Sequence, residues 1–227
     1  MATDWQGKTA VVTAVTGNYD HQGPQRFNDG VDYYFFTDGS VKPVDDEWQI
    51  VYLPDFTHIN NRRKSKLPKI NPGFFRELDQ YKYIIWVDGD MQIKSKMFVP
   101  EILEHLNSGI VLSPHFDGRD DAYGEARPNK YPGEPVDFQV QQYMEEGFPH
   151  AYGLFEAGIN ARDMSHPLIG NFERTWLLQT MLLSPQDQLS LPYSLWKTGI
   201  DFDVLPKSFR DFSWVHLNAH RQDRVKE

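Results

Sequence analysis

Residues 9–15 read Thr-Ala-Val-Val-Thr-Ala-Val, seven positions in a row that are apolar or β-branched. A run without polar alternation predicts a strand covered on both faces. It stops at once in Thr16-Gly17-Asn18-Tyr19-Asp20, where turn-forming residues take over. A second run at 32–36 ends as abruptly in Thr37-Asp38-Gly39-Ser40, and a third spans 48–53. The clearest strand is Tyr83-Ile84-Ile85-Trp86-Val87, which runs straight into Asp88-Gly89-Asp90. Three predicted strands thus finish in polar, glycine-containing turns. In an open α/β sheet, ligands bind at the carboxyl ends of the strands.

Between and after the strands the apolar spacing changes. Phe98, Leu103 and Leu106 mark one helical face around Pro100, and Pro135 opens another with Val136, Val140, Tyr143 and Met144. Ile169, Phe172, Trp176 and Met181 predict a third helix, and Leu189, Leu195 and Trp196 a fourth that Pro192 kinks or ends. Gly147, Gly170 and Gly199 stand near the expected helix ends. Residues 117–133, rich in Asp, Gly, Pro, Arg and Asn, read as a long surface loop. The charged tail 221–227 is expected to fray. Alternating strands and helices predict one α/β domain over 1–227 with a mostly parallel central sheet.

Composition narrows the chemistry. The 227 residues carry 23 Lys and Arg against 32 Asp and Glu, a net charge of −9, which argues against a nucleic-acid-coating protein. There is no cysteine, so any metal must be held by His and carboxylates. No apolar run approaches the roughly 20 residues that span a bilayer. The first residues, Met1 to Lys8, lack the charged-then-apolar signal pattern. A cytoplasmic location is the expectation.

Asp88 and Asp90, spaced i, i+2 after a buried strand, can reach one hard cation together, with Gly89 permitting the turn. Oxygen ligands of this kind suit Mg²⁺ or Mn²⁺ on a diphosphate. Arg62, Arg63, Lys64, Lys66 and Lys69 form a basic cluster just upstream, and Arg63, Lys66 and Lys69 are the candidates for phosphate contacts. Thr16, Asn18, Tyr19, Asp20 and Asp38 end the first two strands, where an aromatic ring can stack on a base and a carboxylate can accept from base or ribose. His216 and His220, spaced i, i+4, could share a helix face, and His216 is the candidate third metal ligand. Glu156, Asp187 and Gln188 supply further polar groups in apolar surroundings, the carboxylates as a general base or a grip on hydroxyls. Asp187 reads equally well as a helix N-terminal charge.

Taken in order, the first strand and turn, the basic segment, Trp86-Val87-Asp88-Gly89-Asp90, Gly153-Leu154-Phe155-Glu156 and Gln186-Asp187-Gln188-Leu189-Ser190-Leu191-Pro192-Tyr193 resemble the glycosyltransferase-like domain family known from plant mucilage and turgor-defect proteins and their bacterial or viral relatives. More distantly the chain is similar to glycogenin-like transferases of the GT-A fold. The likeness runs from about Thr9 to His216. It implies a GT-A, Rossmann-like domain that uses a nucleotide-sugar donor, expected to be a UDP-sugar, with Mn²⁺ or Mg²⁺. Asp88 and Asp90 then match the metal–diphosphate motif, and Lys69, with Lys66 or Arg63, the basic position before it. Asp187 and Gln188 match the segment facing donor sugar and acceptor, and His216 falls near a C-terminal metal-binding histidine. The acceptor stays open among glycan, lipid-linked sugar, protein and modified nucleobase, and so does the choice between inverting and retaining chemistry. Two alternatives stand beside this reading: an Asp-x-Asp phosphohydrolase, and a non-catalytic nucleotide-sugar-binding module.

Overall fold

A computed structural model describes residues 4–20, 23–126 and 130–218. The first four strands fall where the apolar runs predict them: β1 Thr9–Val15, β2 Val31–Thr37, β3 Trp48–Tyr52 and β4 Tyr83–Val87. Further strands are β5 Met91–Ile93, β6 Ile110–Pro114, β7 Phe155–Asp163, β8 Phe202–Val204 and β9 Val215–Leu217. The main sheet has the order β3-β2-β1-β4-β7-β6-β8. β3, β2, β1 and β4 are mutually parallel. β7 is antiparallel to both β4 and β6, and β8 is parallel to β6, so β7 alone runs against the rest of this sheet. β5 and β9 pair separately as a small antiparallel ribbon.

Both faces of the main sheet are covered, which is why β1 needs no polar side. Val11 and Val15 pack with Phe35, Ile85, Phe98, Ile102 and Trp214 on one face. Ala10, Val12 and Ala14 pack with Tyr34, Phe36, Leu78 and Trp86 on the other. The helices are α1 Asn61–Ile70, α2 Phe98–Glu104, α3 Val136–Glu145, α4 Ile169–Leu182 and α5 Asp187–Thr198. Phe172 and Trp176 of α4 join Leu191 and Leu195 of α5 against Ile110 and Leu112 of β6.

Three local expectations need correction. α5 runs through Pro192 and ends only at Gly199, which adopts the left-handed φ of 64° that a side chain resists. The segment 117–133 is not simply a surface loop: Ala122, Glu125 and Tyr131 are buried and residues 123–125 form a 3₁₀ turn, while 127–129 lie outside the described residues. His216 belongs to strand β9 rather than a helix, because 215–217 pair with β5. His220 and the tail 221–227 lie outside the described residues. Among the described residues no helix is long and apolar enough to cross a membrane.

Candidate functional site

The parallel register brings the ends of β1, β2 and β4 to one edge of the sheet, together with the end of β6 and the start of the reversed β7. The turn after β4 passes hard against β1. A Cβ on Gly89 would stand 2.5 Å from Val15 Cγ2 and 3.0 Å from the carbonyl oxygen of Ala14, so only glycine fits there. Asp88 N–H donates to the carbonyl of Gly158 at 2.9 Å, and Met91 N–H to the carbonyl of Asp88 at 3.0 Å. These bonds fix the Asp88 backbone. Its Oδ1 accepts from Trp86 Nε1 at 2.6 Å and Lys69 Nζ at 3.0 Å.

Lys69 sits in the last turn of α1 and is almost fully buried. Its ammonium also reaches Asp187 Oδ2 at 2.7 Å, and Lys66 Nζ reaches the same oxygen at 2.8 Å. Asp187 stands in the first turn of α5, where the helix dipole favours an anion. Two lysines and two carboxylates therefore make one neutral, largely dehydrated cluster. Burial alone would push the Asp187 carboxyl up, but Lys66 and Lys69 hold it far below the usual carboxylate range. Burial likewise opposes the charge on Lys69, and Asp187 and Asp88 more than offset it, leaving this ammonium harder to deprotonate than an ordinary lysine. For Lys66 burial outweighs Asp187, and the repulsion of Lys69 adds to it, so its value is lowered.

A second group of predicted residues braces loops. Thr16 Oγ1 donates to the carbonyl of Asn61 at 2.7 Å, tying the end of β1 to the start of α1. Asp38 Oδ2 accepts the N–H of Gly17 at 2.8 Å, and Ser40 Oγ accepts the N–H of Asn18 at 2.9 Å. Burial would raise the Asp38 carboxyl, and the hydrogen bonds from Ser40 and Gly17 lower it instead. Tyr19 is exposed beside these turns, and Asp20 follows it.

The structure keeps other candidates apart from the lysine cluster. Arg63 forks onto Glu134 at 2.7 and 2.5 Å and donates to the carbonyls of Thr180 and Leu183, so it joins α1 to the end of α4. Glu156, at the start of β7, binds Arg210 and Ser208. Gln188 donates at 3.4 Å to the carbonyl of Phe155. Across the β5–β9 ribbon His216 faces Gln92, two residues from Asp90, and it is Asn218 whose N–H donates to the carbonyl of Asp90, at 2.8 Å. No three His, Asp or Glu side chains among the described residues form a ready metal cage.

Four residues of the site escaped the sequence reading. Trp86 looks like core until its indole is seen to grip Asp88. Gly158 lets Met91 pack close beside Asp88, since a Cβ there would stand 2.5 Å from Met91 Cε and 3.3 Å from Asp88 Oδ2. Arg162, buried on β7, donates to the carbonyls of Lys69 and Ile70 and pairs with Glu173 at 3.0 Å, so it holds the end of α1 that presents Lys69. The Tyr131 ring lies under Arg62 at 4.7 Å, and burial first, then the nearby Asp187 charge, push its phenol up. Of these, only the bulky aromatic two residues before Asp88 left any trace in the sequence.

Residues 40–221 match the TOD1/MUCI70 glycosyltransferase-like domain, four-fifths of the chain. The protein belongs to the TOD1/MUCI70 family. Among curated proteins it is similar to "Probable hexosyltransferase MUCI70" of Arabidopsis thaliana, 30% identical over 160 residues. That match covers 63% of this chain but spans only 26% of the plant protein. Among solved structures it resembles one titled "WbbM bifunctional glycosytransferase apo structure", with a TM-score of 0.51, 13% identity, and coverage of 91% of this chain and 40% of that one. The second likeness speaks to the fold alone, an α/β GT-A-like sheet. Within the TOD1/MUCI70 match lie the basic helix, Asp88, Asp90, Asp187 and His216.

Proposed function

We propose that this TOD1/MUCI70 domain is a metal-dependent glycosyltransferase that moves a hexosyl group from a nucleotide-sugar, a UDP-sugar being the expected donor. The observation that carries the reading is the Asp88 turn: a carboxylate at the carboxyl edge of the sheet, gripped on Oδ1 by Lys69 and Trp86, with Gly158 packed closely on its Oδ2 side and a second carboxylate two residues on. Mg²⁺ and Mn²⁺ commonly bind through one or two carboxylates together with substrate phosphates, so Asp88 and Asp90 suffice without a protein cage. Held there, the cation would supply charge stabilisation to the departing diphosphate.

Transfer breaks the bond from the anomeric carbon to the diphosphate oxygen, which keeps the electron pair. A new bond forms from that carbon to an acceptor hydroxyl oxygen, whose proton is released. Lys69, held cationic by Asp88 and Asp187, offers a fixed positive charge on the diphosphate side. Asp187 is a poor proton acceptor at neutral pH because two ammonium groups suppress its basicity. Its role is to set the two lysines and to accept from donor-sugar hydroxyls. Thr16, Asn18, Tyr19 and the Asp38 loop form the nucleoside end of the same edge.

Thermal melts test this directly. Mn²⁺ with one of UDP, GDP, ADP or CDP should raise the melting temperature, and ligand at about 100 times its Kd adds ~2.7 kcal/mol. The metal-dependent part of the shift should vanish in Asp88→Asn and Asp90→Ala. No metal-dependent shift with any of the four nucleotides would sink the reading.

A further inference from the structure

A second polar cluster lies on the same edge, on the far side of β7. Glu156 is 2% exposed and takes Arg210 Nε on one carboxylate oxygen and Ser208 Oγ on the other, with Ser113 Oγ at 3.4 Å. The Arg210 guanidinium is thereby fixed from below. It lies 4.8 Å from the ring centre of Phe116 and 5.4 Å from that of the buried Phe209. Phe116 follows β6 and is 58% exposed, an unusual place for so large an apolar ring. Beside it His115 Nδ1 meets Asp117 at 2.5 Å, and Arg119 bonds both Asp117 at 2.8 Å and Glu125 at 2.6 Å.

The cluster is tied to the donor site through one strand. Glu156 and Gly158 stand two residues apart on β7, about 7 Å along an extended chain, where its pairing with β6 shifts register. A Cβ on Gly158 would stand 2.5 Å from Met91 Cε and 3.3 Å from both Asp88 Oδ2 and Phe209 Cζ, so Phe209, which packs under Arg210, and Asp88 converge on the same glycine. A molecule lying on Phe116 and Arg210 therefore approaches the Asp88 side from across β7.

We infer that Phe116 and Arg210 form the acceptor seat and that the acceptor is an uncharged sugar. The inference rests on the glycosyltransferase reading and names its second substrate. The charges decide the class. Arg210 is matched by Glu156, and Arg119 by Asp117 and Glu125, so the seat offers directional hydrogen bonds without surplus positive charge. A polyanionic acceptor requires uncompensated cations, and the chain as a whole carries −9. One exposed ring is also far smaller than the apolar patches that mark lipid or protein contact. An apolar face flanked by oriented donors and acceptors fits the two-sided chemistry of a pyranose, C–H groups on one face and hydroxyls at the rim.

Saturation-transfer NMR on the full chain tests the assignment. The probes are p-nitrophenyl β-glucoside, β-galactoside and β-xyloside, with p-nitrophenyl β-glucuronide and a thymidine dodecamer as charged competitors. At least one neutral glycoside should bind. Phe116→Ala, a surface change that spares the core, should weaken it about tenfold, as expected for loss of one aromatic contact, and Phe116→Tyr should restore it. Arg210→Lys, which keeps the charge on Glu156 but loses the planar fork, should also weaken it. The metal-dependent nucleotide melt shift should be the same in wild type and Phe116→Ala. Binding of no neutral glycoside, preference for the glucuronide or the oligonucleotide, or indifference to Phe116→Ala would overturn the inference. Because glycoside binding is read without nucleotide, a missing melt shift would count against the donor reading alone.

Discussion

Lys69 is a side chain on which both stability and the proposed chemistry depend. It is buried between two carboxylates, and removing either partner leaves charge stranded in a poorly hydrated place. Asp187→Ala should therefore destabilise the fold by about 3–5 kcal/mol, read as a lower urea midpoint with unchanged slope. Acid should expose the same pairing. The Asp187 carboxyl is held below its unfolded value, so its contribution is complete above about pH 4 and fades as pH falls further. Asp187→Asn should flatten that acid limb as well as lower stability at neutral pH. At this scale much was legible: carboxylates directly after a buried strand and a cluster of cations in an acidic chain are local signals. The work of Arg162 and Tyr131 was not, since each acts on a residue brought near only by the tertiary fold.

Elements set these side chains in place, and small backbone changes should act at a distance. Gly89→Ala would drive a Cβ into Val15 and the Ala14 carbonyl, displacing the Asp88 turn from the end of β1. The expected outcome is a folded protein by circular dichroism that has lost its metal-dependent melt shift. Helices α3 and α5 are joined by Glu146, which accepts from Tyr193 at 2.6 Å and pairs with Lys197 at 2.5 Å, beside the stacked rings of Tyr143 and Tyr193. The Lys197 hydrogen bond, then that of Tyr193, bring the Glu146 carboxyl down to about 2. Its contribution is present above the ordinary value of 4.5 and lost as pH falls toward 2, so Glu146→Gln should remove that part of the acid dependence in a pH series of melts. The long apolar strands and the amphipathic helices could be read in advance. α1 could not, because its five cations and Pro68 mask helical periodicity, and β7 could not, because its buried positions include Glu156, Asn160 and Arg162.

Across the whole molecule, the sheet divides at β7. On one side lie β1 to β4 with Asp88 and the lysines of the proposed donor site, which Asp187 reaches from α5; on the other lie β6, β8 and the proposed Phe116–Arg210 seat. Strand order itself was beyond the sequence pattern, which predicts a mostly parallel sheet but gives no sign of one opposed strand. That reversal places the start of β7, not its end, beside the exits of its neighbours. On the proposed assignments the two half-sites meet along a seam one strand wide, so selection could rework one without retuning the other. Exchanging residues 113–117 and 208–212 for those of a relative should then carry a new acceptor preference into this chain while nucleotide choice stays put. Diversity within such a lineage would accumulate on the β6 side, with the donor side inherited almost as a fixed part.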